Sequence, residues 1–253
     1  MTPSADLLLV TALPLLAFDT STEALSVAVG WHDAAGRPRE LSHEGVGGRE
    51  SSASLIPAAM DLLGRAGLSV GQLGAVVFGR GPGSFTGLRT ACAVAQGLAW
   101  GAGVPVLPVD TLLAVAEQAR HQAGVSQVVA LLDARMGEVY AATYAHDGTR
   151  WQTLVPPALC GPSQLQVPPG FALAGNAFTA HGALLPARPR RVQVLPSAQA
   201  LLRLAPRMLA DGAAVPAAQA LPLYIRDKVA QTTQERADER AARQPPIASA
   251  NPS

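Results

Sequence analysis

Apolar positions change period several times along the chain, and each change marks an element. The run "LPLLAF" ends at Asp19 and reads as a buried strand, with the alternating "ALSVAVG" as its hairpin partner. A third strand is expected around Arg39–His43. In "ESSASLIPAAMDLLGRAG" the spacing becomes helical, through Leu55, Ala59, Leu62, Leu63 and Ala66, and Gly67 supplies the stop. Pro57 requires that this helix begin near Ser54 or tolerate a kink. A short strand, "GAVVFG", leads through a glycine-rich turn into the alanine-rich "TGLRTACAVAQGLAWGAG". The strand "VPVLPV" follows, then the helix "DTLLAVAEQARHQAG", which Asp110 or Thr111 is placed to cap.

The second half opens as the first did. "VVALLDARMGEVYAATY" is a strand ending in Asp133, a turn and a second strand, so Asp133 falls where Asp19 falls in the first half. Either the echo is chance or it marks two lobes of related topology with a cleft between them. From Val155 to Pro189 the chain is rich in Pro and Gly, with "FALAG" the one clear strand. "RRVQVL" and a helix over Ala198–Asp211 come next. Residues 231–253 lack apolar periodicity and are expected to be a disordered tail. Residues 1–14 read as a leader, 15–108 as an N-terminal lobe and 109–230 as a C-terminal lobe.

The two long helices of the first half carry unusually wide apolar cover. Around Leu55–Ala66 only Ser54, Asp61 and Arg65 share a polar stripe. Leu55, Ile56, Ala59, Met60, Leu62 and Leu63 cover more than the roughly 100° that an ordinary surface helix buries. The next helix is lined by small or apolar residues, Leu88, Cys92, Ala95, Ala99 and Ala102, with Gly97 and Gly101 among them. The expectation is that one face of this pair meets the sheet and the other meets a second chain.

Composition narrows the function classes. Hydrophobic residues make up 49% and charged residues 15%, enough apolar material for a core. A net charge of +1 is far from the basic excess of a protein that grips nucleic acid unaided, so an RNA role would need partners. No apolar run approaches about 18–20 residues, so no membrane span is expected. "LLLVTALPLLAF" lacks the positive flank of a signal peptide and runs straight into "DTST". Two cysteines, Cys92 and Cys160, suit a reducing compartment, and the expected location is the cytoplasm.

The loop "GRGPGSFTGLR" is neither a Walker A motif, having no lysine, nor G-x-G-x-x-G, since the third glycine comes one residue late at Gly87. Two readings stay open. Backbone N–H groups of Gly81, Gly83, Ser84 and Thr86 at a helix start can hold phosphate, helped by Asp19, Thr20 and Ser21 of "FDTST" and by Asp133. Alternatively Ser84 or Thr86 caps the helix and Asp19 caps its own turn. None of the five histidines stands in H-E-x-x-H spacing, and no G-x-S-x-G elbow occurs. A kinase-like or ATPase enzyme using Asp19, Thr20 and the Gly81–Thr86 loop is one alternative, and a peptidase-like hydrolase another.

Taken together, "LAFDTSTEALSVAV", "GRGPGSFTGLRTACAVAQGLAWGAGVPVLPVDTL", "ALLDARMGEVYAATY" and "PLYIRD" make the chain resemble the TsaB/YeaZ family from about Leu15 to Arg226. The resemblance implies a two-lobed α/β fold of the actin/hexokinase/Hsp70 class. It implies a non-catalytic subunit in the synthesis of tRNA N6-threonylcarbamoyladenosine. The partners implied are a catalytic paralogue of the same fold, an ATPase subunit, tRNA through the complex, and a second copy when the chain is alone. The catalytic paralogue holds a metal through H-x-x-x-H, and Thr111 and Val115 stand at those positions here, so neither metal nor catalytic residues are expected. By the same resemblance Leu55, Ala59, Met60, Leu62, Leu63, Leu88, Cys92, Ala95 and Ala99 form the partner interface. Asp19, Thr20, Ser21, Gly81, Gly83, Ser84, Thr86 and Asp133 form a degenerate phosphate site, its ATP or ADP at most weakly held or bound within the complex. The glycine-rich stretch then serves first as the tight turn that launches an interface helix. One departure is Ser51, where many members carry histidine.

Overall fold

The computed structural model describes residues 13–226; the expected leader up to residue 12 and the tail from 231 lie outside them. Two five-stranded sheets form the frame. The first contains β1 (Leu15–Asp19), β2 (Ala24–His32), β3 (Pro38–Val46), β4 (Ala75–Gly81) and β5 (Val106–Asp110), in the order β3-β2-β1-β4-β5. The second contains β6 (Gln127–Arg135), β7 (Glu138–His146), β8 (Trp151–Cys160), β9 (Ala172–Gly175) and β10 (Arg191–Gln193). Read from β8, its order is β8-β7-β6-β9-β10, the same topology. In each sheet the first strand pairs antiparallel with its hairpin partner and parallel with the strand that follows a crossover. The echo between Asp19 and Asp133 thus marks a duplicated lobe.

The period-2 alternation of β1 sends side chains to both faces, and both are buried. Leu16 and Phe18 meet α1 (Ser51–Ala66) and α2 (Phe85–Ala102) on one face. Leu15 and Ala17 face α5 (Ala198–Ala210) on the other. Between the sheets, α3 (Thr111–Ala123) turns Leu112, Val115, Ala116 and Ala119 onto Val128, Ala130 and Leu132 of the second sheet. A short α4 (Phe178–His181) covers that sheet's far side with Ala177 and Leu185.

Two expectations change, and an alternative left open is decided. The boundary at 108/109 falls inside β5 of the first sheet and does not divide the cores either, because α5 returns from the second half to pack on the first sheet. The segment after Val155 is not strand-free before "FALAG": β8 runs to Cys160 through Pro156 and Pro157. It is the edge strand, where a missing N–H costs no ladder bond. Of the two readings left open at Pro57, the helix takes the one that tolerates the proline: it begins at Ser51, and Pro57 lies within it. The bond that Pro57 cannot make leaves the Ala53 carbonyl free, and both residues are exposed to water.

The segment after α5 straps the two lobes together. Val215 bridges to Val106, and the Ala220 carbonyl accepts from Gln96 Nε2 of α2 at 2.9 Å. Leu223 N donates to Arg80 O at 2.7 Å, and Arg89 Nε to Tyr224 Oη at 3.1 Å. The strap ends in the second lobe, where Arg226 Nη2 donates to Ala134 O at 3.0 Å and pairs with Glu138 at 2.8 Å. No helix among the described residues is long and apolar enough to cross a membrane.

Candidate functional site: the interlobe cleft and the two-helix face

The β1–β2 turn is closed by its own side chains. Ser21 N and Oγ both donate to Asp19 Oδ1, at 2.8 and 2.6 Å, and Thr111 Oγ1 lies 3.5 Å from Oδ2. The β6–β7 turn repeats the motif, with Arg135 N donating to Asp133 Oδ1 at 2.8 Å. The two acids differ in exposure. Asp19 is wholly buried, and burial drives its carboxyl pKa upward, opposed by the Ser21 and Thr111 bonds. Asp133 lines the cleft, with His181 Nε2 3.1 Å from Oδ1 and Arg135 3.1 Å from Oδ2. Its backbone N–H goes to Asn176 Oδ1 at 2.9 Å.

The glycine loop packs directly onto the first turn. A Cβ at Gly79 would overlap Asp19 Oδ2, one at Gly83 the Ser21 carbonyl, and one at Gly87 the Thr20 carbonyl. Thr20 Oγ1 donates to Gly87 O at 2.7 Å, and Ser84 N to Ser21 O at 2.7 Å. Ser84, not Thr86, caps α2, its Oγ facing Gly87 N at 3.5 Å and its carbonyl taking Leu88 N at 2.8 Å. Gly81 N donates to Thr111 Oγ1 at 3.1 Å. Where Cβ atoms would stand at these glycines, the protein's own backbone and carboxylate fill the space, which fits a tight turn.

A cleft of about 700 Å³ lies between the lobes, and it sorts the expected phosphate-site residues. Ser21, Gly83, Ser84 and Asp133 line it. Asp19, Thr20, Gly81 and Thr86 do not: the first three are sealed beneath the turn, and Thr86 faces solvent on α2. Sequence reasoning missed Arg135, Asn176 and His181 around Asp133. The first adjoins Asp133 in "DAR", but the other two arrive from after β9 and carry no local signal.

The expected partner interface needs a larger correction. Leu55, Ala59, Leu62, Leu63, Leu88, Cys92, Ala95 and Ala99 belong to the first lobe's own core and have no free surface to offer. They face the sheet because Leu16, Phe18, Val27 and Val76 meet them there. Of the nine, only Met60 is exposed, at 46%. The outward stripe is a different set. Ala53, Ile56, Pro57, Met60 and Gly64 form it on α1, and Ala93, Gly97, Trp100 and Gly101 on α2. A Cβ added at Gly64, Gly97 or Gly101 would meet nothing within 4 Å.

Thr111 and Val115 lie one turn apart on α3 and are both fully buried. The Thr111 hydroxyl is engaged with Asp19 and Gly81, and Val115 packs against the second sheet.

Duplicated mixed sheets with helices on their faces define a two-lobed α/β protein of the actin/hexokinase/Hsp70 class. A family model described as "TsaD: tRNA N6-adenosine threonylcarbamoyltransferase" matches residues 42–249. The chain is 36% identical over 227 residues to the Escherichia coli tRNA threonylcarbamoyladenosine biosynthesis protein TsaB, covering 85% of this chain and 96% of that one. The Haemophilus influenzae protein of the same name is 34% identical, with 86% and 95% covered. The solved YeaZ from Pseudomonas aeruginosa superposes with a TM-score of 0.77 at 40% identity, over 84% of this chain and 99% of that one. The chain belongs to the TsaB/YeaZ family.

Proposed function

We propose that this protein is a non-catalytic subunit of the machinery that makes threonylcarbamoyladenosine in tRNA, docking through the outward faces of α1 and α2 onto a catalytic paralogue of the same fold. The observation that carries the reading is the open glycine face. A helical glycine costs about 1 kcal/mol relative to alanine. Gly64, Gly97 and Gly101 incur that cost where nothing in this chain crowds them. Glycine at such positions lets another helix approach closely, and Ile56 and Met60 stand beside them, each nearly half exposed. Fully burying such a side chain contributes about 1.5–3 kcal/mol.

The non-catalytic part of the reading is supported by α3. Imidazoles at Thr111 and Val115 would have to displace a bonded hydroxyl and a core methyl pair. The kinase-like alternative needs Asp19 in the cleft, and Asp19 does not line it. In this reading the cytoplasmic complex also holds an ATPase subunit, and any ATP or ADP binds weakly or only there. tRNA is reached through the complex, and the same helical face pairs two copies when the paralogue is absent.

Reconstitution tests the proposal. The purified chain alone is expected to transfer no threonylcarbamoyl group to tRNA, and adding it is expected to raise the paralogue's rate. Transfer by the chain alone, or a paralogue rate indifferent to its presence, would contradict the proposal.

A further inference from the structure

A second groove, of about 660 Å³, shares no lining residue with the interlobe cleft. Three elements build it: α3 contributes Arg120, the β7–β8 hairpin contributes Arg150 and Trp151, and α5 contributes Arg203 and Arg207. Four arginines thus face two lining acids, Glu117 and Asp211, with Asp147 standing behind Arg150. The interlobe cleft, by contrast, balances Glu23 and Asp133 against Arg135 and Arg226.

The pairing within the groove leaves most donors unused. Asp211 meets Arg207 at Nε, 3.0 Å, and Asp147 meets Arg150 at Nε, 3.7 Å. Glu117 approaches Arg120 Nε at 3.6 Å without a hydrogen bond, and that buried nitrogen has no other partner. Among the described residues, the Nη groups of Arg120, Arg150 and Arg207 bond nothing, so three guanidinium edges stay available for oxygen pairs. Arg150 and Arg207 are more than half exposed, and such surface pairs hold at most about 1 kcal/mol, so an incoming anion displaces their acids readily. Glu117 is buried and fixes the groove's wall, taking Trp151 Nε1 at 2.9 Å and Arg203 Nε at 3.1 Å.

We infer that this groove binds a run of RNA phosphates through its free guanidinium edges, while Trp151, packed against Tyr144 and His146, forms part of the wall behind them. Free guanidinium edges on three separate elements suit a chain of anions better than a single one. The surplus charge is small, so the contact is weak, dependent on salt, and effective when a complex already holds the RNA. The inference rests on the proposed role in tRNA modification for the identity of the nucleic acid.

The test is a titration of a tRNA transcript, at a series of salt concentrations, into the heterodimer carrying wild-type protein or the Arg150→Gln/Arg207→Gln double variant. Both positions are exposed, so the fold is retained. The double variant is expected to lose about tenfold in affinity and to flatten the log–log salt dependence by about 1.5–2. Binding at this groove is expected to respond to tRNA but not to ATP or inorganic phosphate. Unchanged affinity and slope would overturn the inference, as would a response to ATP or phosphate alone that the variant abolishes while tRNA binding persists. Light scattering reads heterodimer formation separately, so failure of the docking proposal is seen as such. In that case the same titration on this chain alone at low salt gives the same two outcomes.

Discussion

Thr20 Oγ1 donates a 2.7 Å hydrogen bond to the carbonyl of Gly87, joining the first hairpin turn to the first turn of α2. That bond shows how the glycine-rich stretch works. Its glycines let α2 start against the β1–β2 turn, which leaves the helix's outward face exposed for the docking proposed above.

Gly87→Ala should therefore destabilise the protein by about 2–4 kcal/mol, because the new methyl meets backbone that cannot move aside. Gly97→Ala, in open space on the same helix, should be neutral or stabilising by up to about 1 kcal/mol. Urea unfolding of the pair checks the contrast. Equal stabilities would remove the packing role assigned to the loop.

Asp19 carries a pH signature. Burial raises its folded pKa above that of a free aspartate, about 3.8, so the folded state binds the proton more tightly than the unfolded chain. Stability is greatest below about pH 3.8 as far as this group is concerned, and it falls as pH rises through the folded pKa. Asp19→Asn keeps the acceptor for Ser21 and removes the burial cost of the charge. It should match wild type in acid and be the more stable near pH 7–8, with the gap opening above the unfolded pKa. Denaturation curves at acid and neutral pH decide it, and a variant weaker than wild type at neutral pH would contradict it.

Legibility in the sequence followed the range of the signal. The strand–Asp–turn–strand echo is local, and it gave away the duplication because β1–β2 and β6–β7 are hairpins. Pro156 and Pro157 hid β8, since only an edge position makes them tolerable. The return of α5 to the first sheet and the convergence of Asn176 and His181 on Asp133 are long-range contacts without local pattern. The widest misreading was of facing. Helical period showed one wide apolar cover on each helix but could not say which part of it the sheet would take, and Leu55, Ala59, Leu62 and Leu63 went inward while Ile56 and Met60 stayed out. The open glycines at 64, 97 and 101 were the better pointer to a free face.

Ala95 and Met60 separate the inward and outward facings experimentally. Ala95 is wholly buried, so Ala95→Arg should place an unpaired charge in the core, cost several kcal/mol by order of magnitude, and abolish the folded state. Met60→Asp should leave the monomer's circular dichroism and melting essentially unchanged. A folded Ala95→Arg protein would contradict the inward facing of α2.

Glu117 is the hub between α3, α5 and β8. Glu117→Ala would strip acceptors from the Trp151 indole and from Arg203, at an expected cost of about 3 kcal/mol. The Trp151 environment should loosen at the same time, seen as a red shift of its emission. A variant as stable as wild type would show that the network is not needed to join the lobes.

The most direct test of the docking account is the affinity between this protein and the proposed catalytic paralogue, measured by light scattering with calorimetry for wild type, Met60→Asp and Gly97→Arg. The account predicts a stable one-to-one species for wild type and at least a hundredfold weaker binding for either folded variant, about 2.7 kcal/mol or more. Undiminished affinity in both variants would contradict it and move the partner's surface away from α1 and α2.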